Sequence, residues 1–170
     1  AIEIWEKVHG PDHPHVGTGL CNVAALLYHQ GKYDEAKSLY ERAIEIHEKS
    51  YGPNHPAVAT DLNNLAIMLQ HQSKHDEAEP LYRRALAINE KIHGPNHPNV
   101  VGELNNLAML LLNEGKKYKE ARLLLKRALD ILMTTLPAQH PNIKVIRTNL
   151  NAIENRMRKS RKENKNRKRK

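Results

Sequence analysis

Several residue types are scarce in this 170-residue sequence, and each shortage excludes a class of protein. The chain has no phenylalanine, one tryptophan and one cysteine, Cys21. A lone cysteine excludes an internal disulfide framework, so a reducing compartment is expected, with cytoplasm favoured and nucleus as the alternative. Few aromatics beside many alanines and leucines favour a helical protein over a sandwich or barrel. No apolar run approaches the ~20 residues that span a bilayer, so a soluble protein with no membrane span is predicted.

Most of the chain lacks net positive charge, although the formal net charge of the whole is +8. Residues 1–155 hold 17 basic and 18 acidic residues, whereas residues 156–170 hold ten Lys or Arg against one acid. The body is therefore not expected to present the basic patch of a nucleic-acid-binding fold. Self-repulsion predicts a basic tail over 158–170 that is disordered or only partly helical. The tail is either a solubilising end or a polyanion or targeting segment, with candidate residues Arg158, Lys159, Arg161, Lys162, Arg167, Lys168, Arg169 and Lys170.

A repeat of 42 residues organises the sequence. The segment Gly10-Pro-Asp-His-Pro14 returns as Gly52-Pro-Asn-His-Pro56 and Gly94-Pro-Asn-His-Pro98, and a degraded copy at 137–141 comes one residue late because of an extra lysine after Gly115. Fixed periods of this size indicate solenoids, in which each unit buries its apolar face against its neighbours. Because residues 1–7 align with 43–49, the sequence is expected to begin inside a repeat, as a fragment. The predicted boundaries are 1–9 for the end of a preceding repeat, 10–51, 52–93 and 94–136 for three repeats, 137–157 for a half repeat that caps the stack, and 158–170 for the tail.

Each unit is predicted to form two antiparallel helices. Residues Val58, Leu62, Leu65, Ala66 and Leu69 recur at three- and four-residue spacings and form one helical face. A matching stripe follows in the second half of the unit, and the two stripes are separated by a short segment typical of a tight turn between helices. We expect the Gly-Pro-Asn-His-Pro joint to end one helix at its glycine and to begin the next at its second proline.

These repeats resemble the tetratricopeptide pattern, which the series Leu20-Ala24-Gly31-Tyr33-Ala36-Tyr40-Ala43 carries most completely. The 42-residue version, with its Leu-Asn-Asn-Leu-Ala segment, is similar to the repeats of kinesin light chains. The resemblance covers residues 1 to about 157. It implies an all-α, right-handed superhelical solenoid of antiparallel helix hairpins, with a concave groove that is lined by the first helices and receives extended cargo peptides. A kinesin motor partner rests on this resemblance alone.

Transferred by position, the resemblance assigns eleven residues to a peptide-binding groove. Asparagine there both donates and accepts hydrogen bonds, so Asn63 and Asn105 can pair with a peptide backbone whatever its sequence. The alternative is that these asparagines bridge neighbouring helices, a role expected more of Asn22, Asn64, Asn106 and Asn149. None of the positions is Lys or Arg, so acidic cargo is not expected. The candidates are Cys21, Tyr28, His29, Asn63, Ile67, Gln70, His71, Asn105, Met109, Leu112 and Asn113.

No pattern indicates catalysis, a metal site or a cofactor. Phosphate-binding loops, nucleophile elbows and zinc-ligand spacings are missing, and a solitary Cys21 on a helix face is typical of a small apolar filler. Four histidines recur once per repeat, at the joint, and therefore answer to a structural need: His13, His55, His97 and His140. The sequence thus predicts a non-enzymatic interaction scaffold for a protein or peptide partner. A polyanion-directed module that binds nucleic acid only through the tail is the alternative.

Overall fold

The computed structural model describes residues 2–114 and 117–167, and within these ranges the chain is all-α, with helices, one 3-10 turn and no strand. It divides into two compact units, Ala1–Ile92 and His93–Lys170. The helices are α1 (Ile2–His9), α2 (Pro14–His29), α3 (Tyr33–Tyr51), α4 (Pro56–His71), α5 (His75–His93), α6 (Val101–Glu114), α7 (Tyr118–Thr135) and α8 (Pro141–Arg167), with the 3-10 turn at Pro98–Val100. In the first unit α3 packs against α2 and α4, and in the second α7 packs against α6 and α8.

A histidine begins each first helix by capping it. The Nδ1 atom of His13 accepts a hydrogen bond from the backbone N–H of His15 at 3.2 Å, and His55 accepts one from Ala57 at the same distance. The remaining two joint histidines make the same bond to the residue two positions on. Such a cap satisfies an N–H group that has no partner inside the helix. The predicted structural role of the joint histidines is thereby confirmed.

Backbone conformations with positive φ end the helices. Gly52 follows α3 with φ 88°, a region that favours glycine because it lacks a Cβ atom. The turn between α2 and α3 likewise has Gly31 at φ 76°. In the turn between α4 and α5 the equivalent residue is Ser73, at φ 60°. Serine pays a steric cost there that glycine does not.

Small residues are buried where the helices meet. Alanines at equivalent positions of the first and second helices have no exposed surface, which permits close approach of the helix backbones: Ala24, Ala66, Ala108, Ala36, Ala78 and Ala121. The predicted stripe of α4, from Val58 to Leu69, is also buried. The hairpin pattern read from the sequence is therefore confirmed at the level of side-chain burial.

The last helix is longer than predicted. The chain was expected to leave the helix near Arg158, but α8 continues to Arg167. Its buried residues include Ile143, Ile146 and Ile153, and no buried residue follows among those described. Arginine and lysine have high helix propensity, which offsets their mutual repulsion, so over 158–167 the partly helical alternative describes the tail and the disordered one does not. The predicted tail residues Lys168, Arg169 and Lys170 lie outside the described residues.

Replacing Ser73 with glycine should stabilise the first unit. Ser73→Gly is expected to raise the free energy of unfolding by about 1 kcal/mol, because it removes the left-handed strain of an L-residue. The reciprocal control, Gly31→Ser, changes the equivalent turn and should lower the free energy of unfolding by a similar amount. Urea unfolding followed by circular dichroism measures both. A Ser73→Gly variant that is less stable than the wild type would contradict the strain.

Candidate functional site

The eleven groove candidates lie on the surface of the first helices. None is buried: Tyr28, Asn63 and Asn105 are half-buried, and His29, His71 and Asn113 are exposed. Their neighbours along each helix are core residues, such as Leu20 and Ala24 on α2 and Leu62 and Leu65 on α4. Because one side of each helix is committed to the core, the candidates form a partly exposed face beside it. We call this the first-helix face and describe it separately in each unit.

In the first unit a tyrosine and a histidine join α2 to α4 on this face. The hydroxyl of Tyr28 lies 2.7 Å from Nδ1 of His71, and the two rings meet edge to face. His29 and Tyr33 also lie against the Tyr28 ring, with centroids 5.0 and 6.0 Å away. Burial, followed by the proximity of Tyr33, raises the pKa of Tyr28, so its hydroxyl stays protonated and can donate. The cluster is an aromatic surface with hydrogen-bonding groups at its edge.

Gln70 and Cys21 take part in bonds that tie helices together. The Oε1 atom of Gln70 accepts a hydrogen bond from the hydroxyl of Tyr82 at 2.9 Å. The amide of Asn64 donates to Sγ of Cys21 at 3.6 Å, so Asn64 bridges as predicted. Burial, together with the nearby charge of Asp61, raises the pKa of the Cys21 thiol to about 12. A thiol in this state is a poor nucleophile at neutral pH.

In the second unit the prediction that Asn149 bridges helices while Asn105 faces a peptide is only partly right. Asn149 donates its amide to Oδ1 of Asn105 at 2.8 Å, linking α8 to α6. Asn149 therefore bridges, as expected, but Asn105 is its partner and has a structural role as well. The amide NH₂ group of Asn105 is not used in this bond. Met109 and Leu112 are half-buried on the same helix and add apolar surface.

The described tail residues extend α8. Arg158, Lys159 and Lys162 are exposed on it, whereas the side chains of Arg161 and Arg167 lie outside the described set. Within residues 2–114 and 117–167 no helix is both long and apolar enough to cross a membrane. The same residues contain no group of three or more metal-ligating side chains in an arrangement that could hold an ion.

A buried ion pair in the first unit was missed by sequence reasoning. Nδ1 of His47 on α3 lies 2.6 Å from Oδ2 of Asp61 on α4, and both side chains are 4% exposed. Nε2 of His47 lies 3.2 Å from the carbonyl oxygen of Pro14. The Pro14 carbonyl and an ionised Asp61 carboxylate only accept, so this geometry favours the doubly protonated imidazole, in which both ring nitrogens donate. The hydrogen bond to Asp61 is the largest cause of a raised pKa at His47, with burial opposing it.

A departure from the repeat could have revealed this pair. The position of His47 carries Asn89 in the next repeat, and that of Asp61 carries Gly19 in the preceding one. Gly17 is the accompanying change, because a Cβ atom built on it would lie 2.8 Å from Nε2 of His47. The corresponding residue one repeat later is Ala59. Paired polar substitutions beside a lost methyl group are the signal of a local buried contact.

One family model, described as tetratricopeptide repeat, matches residues 16–91 and again residues 62–134. A second model with the same description matches residues 1–15. No curated protein matches it. Among solved structures, BtubC (BKLC) from P. vanneervenii is 26% identical with a TM-score of 0.76, and the alignment covers 85% of this chain and 57% of BtubC. The chain thus spans somewhat more than half of that relative.

Two further structures extend the comparison. A candidate kinesin light chain from Podosopora anserina, with nearly identical TPR-like repeats, is 25% identical with a TM-score of 0.74, over 86% of this chain and 71% of that one. The N-terminal domain of stress-induced protein-1 from C. elegans has a TM-score of 0.59 at 14% identity, over 80% of this chain and 95% of that domain. The last shares the fold alone.

The buried pair makes stability depend on pH with a defined sign. Because the pKa of His47 is raised in the folded state above the ordinary value of 6.5, its contribution is complete below that pH and is lost as the pH rises through the raised pKa. We expect the stability difference between wild type and His47→Asn to shrink as the pH rises above 6.5. Urea unfolding at a series of pH values measures this difference.

Asp61→Asn provides the companion variant. It leaves His47 without its counter-charge and should lower the free energy of unfolding by roughly 3 kcal/mol just below pH 6.5, as is typical when one partner of a buried pair is removed. The exposed acid Glu45 supplies a matched control, since Glu45→Ala removes the same charge from the surface of α3. A wild-type advantage that is constant across the pH series would contradict protonation of His47.

Proposed function

Because this chain belongs to the tetratricopeptide repeat family, a class of generally non-enzymatic scaffolds that bind protein partners, we propose that it holds an extended peptide segment of such a partner on its first-helix face. The observation that carries the proposal is that every groove candidate is at least partly exposed, whereas the core residues beside it on the same helix are buried. The structural relatives from P. vanneervenii and Podosopora anserina support the scaffold class. The peptide and its source protein are not specified by them.

The chemistry of the face supports a neutral peptide. Asn63 and Asn105 supply amides, and Ile67, Met109 and Leu112 supply half-buried apolar surface. Amides can pair with backbone groups of any peptide, while apolar patches select among side chains. No arginine or lysine stands among the eleven positions, so the attraction that an acidic peptide requires is not provided there.

The bond between Asn105 and Asn149 supports a donor role for Asn105. Its Oδ1 atom already accepts from Asn149, which fixes the orientation of the amide. The remaining NH₂ group donates, and the natural acceptor on a peptide is a backbone carbonyl. A side chain held in place by a helix-bridging bond loses little conformational freedom on binding.

A second candidate function comes from the length of α8. Exposed cations at Arg158, Lys159 and Lys162 lie on a helix, an arrangement that favours binding of a polyanion such as nucleic acid or an acidic protein segment. Nuclear import is the targeting version of the same proposal. This function is independent of the first-helix face, because α8 has no groove candidate.

Removing both groove amides should weaken peptide binding. Peptides selected on the wild-type chain from a displayed random library are expected to bind Asn63→Ala plus Asn105→Ala about thirtyfold less tightly, since two hydrogen bonds are lost and each contributes about 1 kcal/mol. Fluorescence anisotropy with the selected peptides measures the Kd.

Asn149→Ala is the matched control for that experiment. It breaks the bond to Asn105 from the opposite side but leaves the Asn105 amide on α6. It should therefore cost much less affinity than the double substitution. If a folded double variant binds every selected peptide as tightly as the wild type does, the proposed role of the amides is wrong.

Deleting residues 158–170 tests the second candidate function. A tail that binds polyanions predicts loss of binding to a fluorescent DNA duplex on deletion, and a steep fall of affinity with salt before deletion. Substitution of Arg158, Lys159 and Lys162 with glutamine in the full chain keeps the helix-forming tendency and should give part of that loss, with a shallower fall of affinity with salt. Unchanged DNA binding and unchanged cellular location after deletion would exclude the tail as a functional element.

A further inference from the structure

A cavity of about 380 Å³ opens in the second unit beside the groove candidate Asn105. Its apolar wall consists of Val101 on α6, Leu132 on α7, and Val145 and Ile146 on α8. Leu132 and Ile146 belong to the core, whereas Val145 is 53% exposed at the wall. This volume lies near the lower end of the range of about 300–1,000 Å³ that is typical of ligand-binding clefts.

The cavity coincides with a residue at which this repeat departs from the others. Five positions after each capping histidine, the chain carries Thr18, Thr60, Gly102 and Val145 in turn. The two threonines donate their hydroxyls to the carbonyl oxygens of Pro14 and Pro56. Gly102 lines the cavity, and a Cβ atom built on it has nothing within 4 Å. The cavity wall is therefore open where the earlier repeats carry a side chain.

The glycine brings no local advantage to the helix. Glycine within a helix lowers stability by roughly 0.5–1 kcal/mol relative to alanine. The helix start is also different here, because Pro98–Val100 forms a 3-10 turn, whereas α2 and α4 begin directly at Pro14 and Pro56. The φ of Gly102 is not in the region that requires glycine, since only Gly10, Gly31, Gly52 and Gly94 have positive φ among the described glycines. Open space is what this residue provides.

The lining selects the chemistry of an occupant. None of the residues that line the cavity carries a charge, so a charged group would enter without a counter-charge and lose its hydration. An apolar group would cover the exposed part of Val145 and gain about 25 cal/mol for each Å² buried. Asn105 lines the same wall, and its side-chain Oδ1 already accepts a hydrogen bond from Asn149. Its NH₂ group is thus matched to an acceptor next to an apolar group.

We propose that this cavity binds one uncharged, apolar side chain of a peptide residue, of the size of leucine or methionine, whose backbone carbonyl accepts a hydrogen bond from Asn105. An apolar side chain directly beside a carbonyl acceptor is the arrangement found in every apolar residue of a peptide. The proposal rests on peptide binding by the first-helix face and adds the residue class that the second unit selects. Gly102 is the specificity-determining residue, because a larger side chain would occupy the space.

The probes are blocked pentapeptides, N-acetyl-Ser-Ala-X-Ala-Ser amides, with X as leucine, methionine, glycine or lysine. They are titrated into the full ¹⁵N-labelled chain, and backbone amide shifts are followed by NMR. Peptides with leucine or methionine should move the resonances of Val101, Gly102 and Val145 saturably, with a Kd about tenfold lower than the glycine or lysine peptides, as burial of one apolar side chain provides.

Gly102→Thr closes the site with the residue that the first two repeats carry. Thr has a higher helix propensity than Gly, so the variant should unfold at the same urea concentration as wild type or a higher one. It should lose at least about tenfold in affinity for the leucine peptide and leave the affinity for the glycine peptide unchanged. Asn105→Ala should weaken all four peptides alike, because it removes the bond to the backbone.

The possible results separate this inference from the function on which it rests. If peptides bind but X does not matter, or Gly102→Thr binds the leucine peptide as the wild type does, the cavity proposal is wrong and peptide binding stands. Saturable shifts confined to residues away from the cavity have the same meaning. If no peptide produces saturable shifts in either unit, peptide binding and the cavity proposal both fail.

Discussion

Close approach of helices at fully buried alanines is the constraint on which the rest of the structure depends. A hairpin of two amphipathic helices cannot remove its apolar stripe from water alone, so each stripe must meet a neighbouring helix. Alanine at the contact keeps the helix backbones near each other, as at Ala24 and Ala36 in the first repeat. The short bridges between α2 and α4, such as that from Tyr28 to His71, require this spacing. The surface offered to a partner is thus a product of the packing beneath it.

The sequence predicts well those features that recur with the repeat. The caps at His13 and His55 and the buried stripe of α4 follow from the same pattern in each unit, because every unit must solve the same backbone and burial problem. The contact between His47 and Asp61 joins residues from different helices, so the regular pattern does not predict it and only the local departures at Gly17 and His47 hint at it. The extent of α8 was left open for a different reason. Repulsion among the cations that begin at Arg158 opposes a helix, whereas the helix propensity of lysine and arginine favours one.

The candidate site was predictable as a face but not as a set of roles. Spacing along the helix indicates which residues are half-exposed, since the core positions are known from the same pattern. It does not show which side-chain amide atoms are already bonded, as the hydrogen bond from Asn149 to Oδ1 of Asn105 demonstrates. Nor does it reveal a cavity, because empty space at Gly102 depends on residues from three helices. Bonding and space are properties of the packed unit.

The capping histidines have a consequence for the protons exchanged on folding. A histidine whose Nδ1 accepts a backbone bond must be unprotonated at that atom, and at His13 burial, followed by the neighbouring His9 and His15, lowers the pKa. Its share of stability is therefore lost as the pH falls. His47 behaves in the opposite way, because its pKa is raised. On folding, the fraction of His13 that is protonated therefore falls and that of His47 rises, so two titrations within one unit change the number of bound protons in opposite directions.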